Sequence, residues 1–147
     1  MGTNGTGGLP PATARANSGV RVLSKEECLA LLRSHRLGRL ALSVDDQPHI
    51  FPVNYLYEET SVVIRTAPGL KLDHGPLRAV AFEIDDASPN GDWGWSVVVL
   101  GPCFDLTDTI DKRSERLLEL PVRPWAPGAR EHCLSVLARH VSGRAFG

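Results

Sequence analysis

Gly38-Arg39-Leu40-Ala41-Leu42-Ser43-Val44-Asp45-Asp46-Gln47-Pro48-His49-Ile50-Phe51-Pro52-Val53-Asn54-Tyr55-Leu56-Tyr57 decides the fold. From Gly38 onward apolar and polar residues alternate with a period of two, the signature of a half-buried strand. Arg39–Val44 reads as one strand, Asp45-Asp46-Gln47 as a turn, and His49–Tyr57 as the returning strand. Pro52 lies inside that second strand, where it removes a ladder donor. It belongs at an edge, at a bulge or beside a ligand.

Working outward, Ser61–Thr66 is a third strand, followed by the break Ala67-Pro68-Gly69 and a helical turn or two within Leu70–Leu77. Ala79–Asp85 is a fourth strand and Asp86–Gly94 a polar loop. Trp95–Leu106 is too long for one flat strand, and Gly101-Pro102 is the place for a bend. Beyond Asp108, the pattern through Ile110, Leu117 and Leu118 predicts a helix stopped by Pro121. Pro121, Pro124 and Pro127 make an extended connection around Trp125. Leu134, Leu137 and Val141 share a helical spacing, which predicts a helix over Arg130–His140, and Val141–Phe146 suits a last short strand. Upstream, Ser24 and Glu27 form a capping-box pattern with Leu23 and Cys28 at staple positions. Cys28, Leu31, Leu32 and His35 continue it as a short amphipathic helix, ended by Gly38. Residues 1–19 hold almost no large apolar side chain and read as a flexible tail, leaving 20–147 as one domain. About six strands and three short helices without βαβ alternation predict a mainly β fold, a small barrel with short peripheral helices.

Composition narrows the function. The 147 residues carry a net charge of −1, and the two halves are similarly balanced. A nucleic-acid partner is not expected, because phosphate neutralisation needs a basic excess. No apolar run approaches the ~20 residues that span a bilayer, and no leader pattern opens the chain. The expected location is the cytoplasm. Cys28, Cys103 and Cys133 are odd in number and far apart, so neither a disulfide framework nor a zinc site is expected. They read as small buried apolar residues.

Three stretches bear chemistry. Arg65-Thr66-Ala67-Pro68-Gly69-Leu70-Lys71 ends a strand with a cation and a hydroxyl, then turns and supplies one of only three lysines. Such groups can converge on a phosphate dianion, or the same charges can point outward from a solvated turn. Trp93-Gly94-Trp95-Ser96 offers indole walls and a polar edge, or simple core packing. Asn54 offers an amide able to read the edge of a heterocycle. No nucleophile elbow, zinc-protease motif or dinucleotide fingerprint is present, so any reaction chemistry falls to a bound organic cofactor.

Taken in order, these motifs resemble the pyridoxamine 5′-phosphate oxidase-like, FMN-binding split-barrel family, in its short bacterial branch with nitroimidazole-resistance-type relatives. The residues that carry the resemblance are Gly38-Arg39-Leu40, Phe51-Pro52-Val53-Asn54-Tyr55, the Arg65-to-Leu72 stretch, Ala81-Phe82-Glu83-Ile84-Asp85, and Gly94-Trp95-Ser96-Val97 leading to Gly101. Pro124-Trp125-Ala126-Pro127-Gly128 and Val141-Ser142-Gly143-Arg144 complete the set, over about residues 20–146. The resemblance implies a six-stranded split barrel and a homodimer with FMN at the interface. It implies that Arg65, Thr66 and Lys71 hold the FMN phosphate and that Leu72 lies beside them. Pro52, Val53 and Asn54 would run along the isoalloxazine edge, with Trp95 and Ser96 completing the site from the partner chain and Arg144 nearby. It implies an FMN-dependent oxidoreductase acting on a small organic substrate. The alternatives are an F420-dependent reductase on the same barrel, or a flavin-binding protein without turnover. The chain ends at Arg144-Ala145-Phe146-Gly147, without the Arg-rich C-terminal segment of the longer oxidases, so the resemblance does not extend to vitamin B6 oxidation.

Overall fold

The computed structural model describes residues 19–66, 69–106, 111–123 and 132–147. The expected tail and the Pro124–Pro127 connection lie outside these residues, apart from Gly19 at the end of the tail. In chain order the elements are β1 (Arg21–Val22), α1 (Lys25–Ser34), β2 (Leu37–Val44), β3 (Gln47–Glu58), β4 (Ser61–Thr66) and α2 (Leu70–His74). There follow β5 (Ala79–Ala87), β6 (Gly94–Asp105), α3 (Lys112–Leu118), β7 (His132–Leu137) and β8 (His140–Phe146). The strands run in the order β1-β8-β6-β5-β2-β3-β4-β7, and β7 pairs again with β6. That second pairing closes β2 to β7 into a six-stranded barrel, and β8 and β1 extend the sheet beyond it. The fold is therefore mainly β with short peripheral helices, as the alternation predicted.

Two 12-residue strands, β3 and β6, hold the barrel together by changing partners along their length. The first part of β3 pairs with β2 (Asn54 opposite Leu37, Gln47 opposite Val44), and its last part pairs with β4 (Tyr55 opposite Ile64, Glu58 opposite Ser61). The first part of β6 pairs with β5 and β8, and its end pairs with β7 (Cys103 opposite Val136). Strands that switch sheets in this way make the corners of a barrel. At the β6 corner, a Cβ on Gly101 would meet the Leu137 carbonyl oxygen at 1.7 Å, so only glycine lets the two backbones approach. Gly101-Pro102 is thus the bend expected from sequence.

Alternate residues of each strand fill the interior, among them Leu40, Val53, Tyr55, Ile64, Phe82, Ile84, Val97 and Leu134, all 2 % exposed or less. Helix α1 joins this core through Cys28 and Leu32. Ser24 caps it as expected, accepting from the Glu27 amide while the Glu27 side chain accepts from the Ser24 amide. A second cluster of Val63, Leu106, Leu117, Val122 and Cys133 packs outside the barrel beneath α3.

Three expectations need correction. The helix over Arg130–His140 is strand β7 in its described part, and it supplies the sixth barrel strand in place of Val141–Phe146, which lies outside the barrel as β8. Leu134 and Val136 of β7 face the barrel core and Cys133 faces the α3 cluster, so burial on both sides erased the alternation. Gly38 does not end α1. It sits within β2, where a Cβ would lie 2.3 Å from the Phe82 ring. β1, two residues long, carries no periodic signal at all.

None of the three cysteines forms a disulfide, and all are buried. Burial raises each thiol, Cys103 to about 12 and Cys133 to about 11. No helix among the described residues is long and apolar enough to cross a membrane.

Candidate functional site

The candidate site grows from the β3 corner. The β3–β4 ladder stops at Tyr55–Ile64, so among the described residues Pro52, Val53 and Asn54 pair with β2 alone. Pro52 therefore occupies a local edge, where its missing N–H leaves no ladder bond unmade. Tyr55 anchors the corner from inside. Its hydroxyl donates to the Leu32 carbonyl of α1 at 2.7 Å, its ring meets Phe82 edge-on at 4.7 Å, and burial raises its pKa.

A cleft of about 220 Å³ opens on the outer side of this corner, between Asn54 and Leu56 of β3, Arg36 after α1, and Pro121, Val122 and Arg123 after α3. Arg36 donates to the carbonyls of Arg33 and His35, both at 2.8 Å. Arg65, pointing outward from β4, donates to the Leu118 carbonyl at the end of α3. Arg21, Arg39, Arg113 and Arg116 all pair with carboxylates. Arg36, Arg65 and Arg123 take no ion-pair partner among the described residues, as is also true of Arg33, Arg78, Arg139 and Arg144, and no carboxylate lines the cleft.

Strand alternation divides the residues singled out from sequence. Pro52, Asn54 and Arg65 face outward, whereas Val53 and Thr66 are buried on the core side. Arg65 and Thr66, adjacent on one strand, thus present their side chains to opposite faces. Lys71 lies on α2 with its ammonium 5.0 Å from the centre of the Phe51 ring, a cation–π contact. Leu72 follows on α2, and its side chain lies outside the described residues. The structure gathers Arg65, Thr66 and Lys71 around the end of β4 without bringing the three side chains onto one point.

Trp95, Ser96 and Arg144 meet in a second cleft, of about 450 Å³, which Asp85, Asp86 and Phe146 also line. The register sets Ser96 between Asp85 of β5 and Arg144 of β8. Trp95 turns into the core, edge-on to His35 at 4.9 Å, and its buried indole N–H has no hydrogen-bond partner. Buried donors are nearly always satisfied, and this orphan lies on the core side of the strand, beside His35. Arg39 reaches Asp85 at 3.2 Å and Glu83 at 3.5 Å across the sheet between the two clefts. Burial first, and Asp85 second, push the Glu83 carboxyl up. Ile50, Leu37 and Leu100 are exposed on the same outer face. Both clefts therefore flank one partly apolar sheet surface.

Arg36 and Arg123 were not singled out from sequence. Their one local signal is that no acidic residue stands within three positions of either.

A closed barrel with two strand-switching corners and a polar cleft at one of them defines a split-barrel protein. The sequence profile of the pyridoxamine 5′-phosphate oxidase family matches residues 24–145, and the chain belongs to that family. An uncharacterised protein of Rhizobium meliloti (strain 1021) is 34% identical over 132 residues, covering 84% of this chain and 83% of its own. The FAD binding protein from Mycobacterium smegmatis is 32% identical with a TM-score of 0.65, over 88% of this chain and 100% of that one. A FAD-binding protein from Mesorhizobium loti is 30% identical with a TM-score of 0.70, over 87% and 99%.

Proposed function

We propose that the protein binds a flavin, FMN, between two copies of the chain and uses it as an oxidoreductase on a small organic substrate. The observation that carries this reading is the opened β3 corner, where Asn54 and cations without carboxylate partners flank an apolar sheet face. The donor set suits a flavin: guanidinium and ammonium groups for a phosphate and an amide for the ring edge. At about 220 Å³ the corner cleft is smaller than the ~300–1,000 Å³ that encloses a cofactor-sized ligand. A second chain, related by a two-fold axis, supplies the rest by laying its Trp95–Ser96–Arg144 cleft against the first chain's β3 corner. The two structural relatives described as FAD-binding support the cofactor class.

A bound flavin supplies the electron or hydride transfer at its ring. The chain's own residues bind and orient it. Arg65 and Lys71 hold the phosphate by charge-assisted contacts, with Thr66 and Leu72 beside them. Pro52, Val53 and Asn54 line the ring edge. Trp95, Ser96 and Arg144 of the second copy cover the site and exclude water.

The test is the absorbance spectrum of the purified protein, with mass spectrometry of whatever denaturation releases, followed by fluorescence titration with FMN and riboflavin. Arg65→Ala and Lys71→Ala are each expected to weaken FMN about ten- to hundredfold, the loss of one charge-assisted contact of roughly 1.5–3 kcal/mol. Riboflavin, lacking the phosphate, is expected to bind all three proteins alike. A colourless protein with no affinity for either ligand overturns the reading. So does release of F420 in place of a flavin, and a monomer by light scattering removes the shared site. Turnover with NAD(P)H and a panel of quinones and nitro compounds separates an enzyme from a flavin carrier.

A further inference from the structure

The ammonium of Lys71 lies 5.0 Å from the centre of the Phe51 ring. That ring is stacked in turn on His49, with centroids 6.1 Å apart and planes 11° from parallel. His49 and Phe51 share the inward face of β3, and Phe51 packs against the barrel core while staying only partly buried. Pro52, the next residue, turns outward along the proposed ring edge. The backbone of α2 is fixed independently of this contact. The Gly75 amide closes the helix on the Lys71 carbonyl at 3.0 Å, and the Leu77 amide donates to the Cys103 carbonyl of β6 at 2.7 Å. Those bonds pin the helix but not the four-carbon lysine stem, and ordering a lysine is among the costliest of side-chain orderings. A ring face attracts a cation without cancelling its charge, whereas a carboxylate in its place would do both. The Phe51 ring therefore orders the ammonium ahead of any ligand and leaves it positive toward a dianion.

We propose that Phe51 is a positioning residue of the flavin site: its ring, backed by His49, presets the Lys71 ammonium for the cofactor's phosphate. The role in binding rests on the flavin reading, whereas the contact between Phe51 and Lys71 does not. Because Phe51 and Pro52 are consecutive, one strand serves both parts of the cofactor. The inward ring orders the cation for the phosphate, and the outward residues line the isoalloxazine edge. Preorganisation of this kind raises affinity by reducing what must be ordered on binding.

The experiment has two arms. The first reads the contact itself by NMR of the purified protein after reductive methylation of its lysines with labelled formaldehyde, which keeps their charge. Lys25, Lys71 and Lys112 are the only lysines, so the signals are few, and that of Lys71 is assigned by its loss in Lys71→Ala. It is expected upfield, under the ring current of Phe51, to stay there in Phe51→Tyr and to move to the ordinary position in Phe51→Leu. The second arm is fluorescence titration with FMN and with riboflavin. Phe51→Leu is expected to weaken FMN about three- to tenfold, the range of a partly buried cation–π contact, with riboflavin binding as in the wild type. Phe51→Tyr restores FMN affinity, and Phe51→Leu adds no further loss to Lys71→Ala. Phe51→pentafluorophenylalanine keeps the ring's shape and reverses the charge on its face. It is expected to weaken FMN alone, and it carries the test if Phe51→Leu fails to fold. A Lys71 signal at the ordinary position in the wild type overturns the proposal. So does equal loss of FMN and riboflavin, or a full additional loss in the double variant. In each of these cases the flavin reading stands as long as the wild type binds FMN. A shifted Lys71 signal in a protein that binds neither ligand is the reverse: the flavin reading fails, and with it the role of Phe51, while the contact remains.

Discussion

The two corners of the barrel are built by the same device and end in opposite states. At each, a 12-residue strand leaves one sheet and joins another. At the β6 corner the backbones close to the limit that glycine allows, with Gly101 against Leu137. At the β3 corner the ladder stops at Tyr55–Ile64, a proline occupies the free edge, and a cleft opens beside Asn54. A strand switch is thus neutral with respect to function. Packing against a neighbouring backbone turns it into a seam, and a proline edge with polar side chains turns it into a site.

The sharpest way to break this contrast is to force atoms into the seam. Gly101→Ala is expected to cost about 3 kcal/mol, the upper part of the usual range for overpacking, because its contact is rigid backbone. Urea unfolding measures it, and a cost below about 1 kcal/mol would mean that the seam is no tighter than the cleft. Next comes the buried anchor of the open corner. Tyr55→Phe keeps the ring on Phe82 but strands the Leu32 carbonyl, at an expected cost of about 1–2 kcal/mol by the same assay. A smaller effect lies away from both corners. Glu27 is drawn down to about 2 by Arg21 first and the Ser24 amide second. Its stabilisation is therefore complete above its ordinary value of 4.5 and is lost as pH falls toward 2. Both partners are about one-third exposed, so Glu27→Gln is expected to flatten that acid limb by less than about 1 kcal/mol. Smallest of all, Pro52→Ala at the free edge is expected to shift stability by no more than about 0.5–1 kcal/mol, through the unfolded chain alone. A larger loss would show that the edge carries packing of its own.

The same contrast explains what was legible in the sequence. β2, β3 and β5 have one face in the core and one outside, so alternation marked them to within two residues at each end. The Gly101-Pro102 bend and the Ser24 cap are local chemistry and were equally plain. β7 failed because it is covered on both sides, by the barrel core and by the α3 cluster, and the helical spacing of Leu134, Leu137 and Val141 filled the gap with a coincidence. At the site, Pro52, Asn54, Arg65 and Lys71 stood out through composition and motif. Arg36 and Arg123 did not, because only the folded β3 corner brings the end of α1 next to the segment after α3. That Thr66 and Trp95 turn inward follows from strand parity, which is readable only once the register is known.

The three buried thiols give the molecule a built-in clock. Cys28 lies under α1, Cys103 at the closed seam and Cys133 beneath α3, so each reports a different part of the chain. With their ionisation suppressed by burial, an alkylating reagent reacts only during moments when a cysteine's surroundings come apart. The relative rates at which the three become labelled therefore rank the opening free energies of helix, seam and outer layer in the native protein.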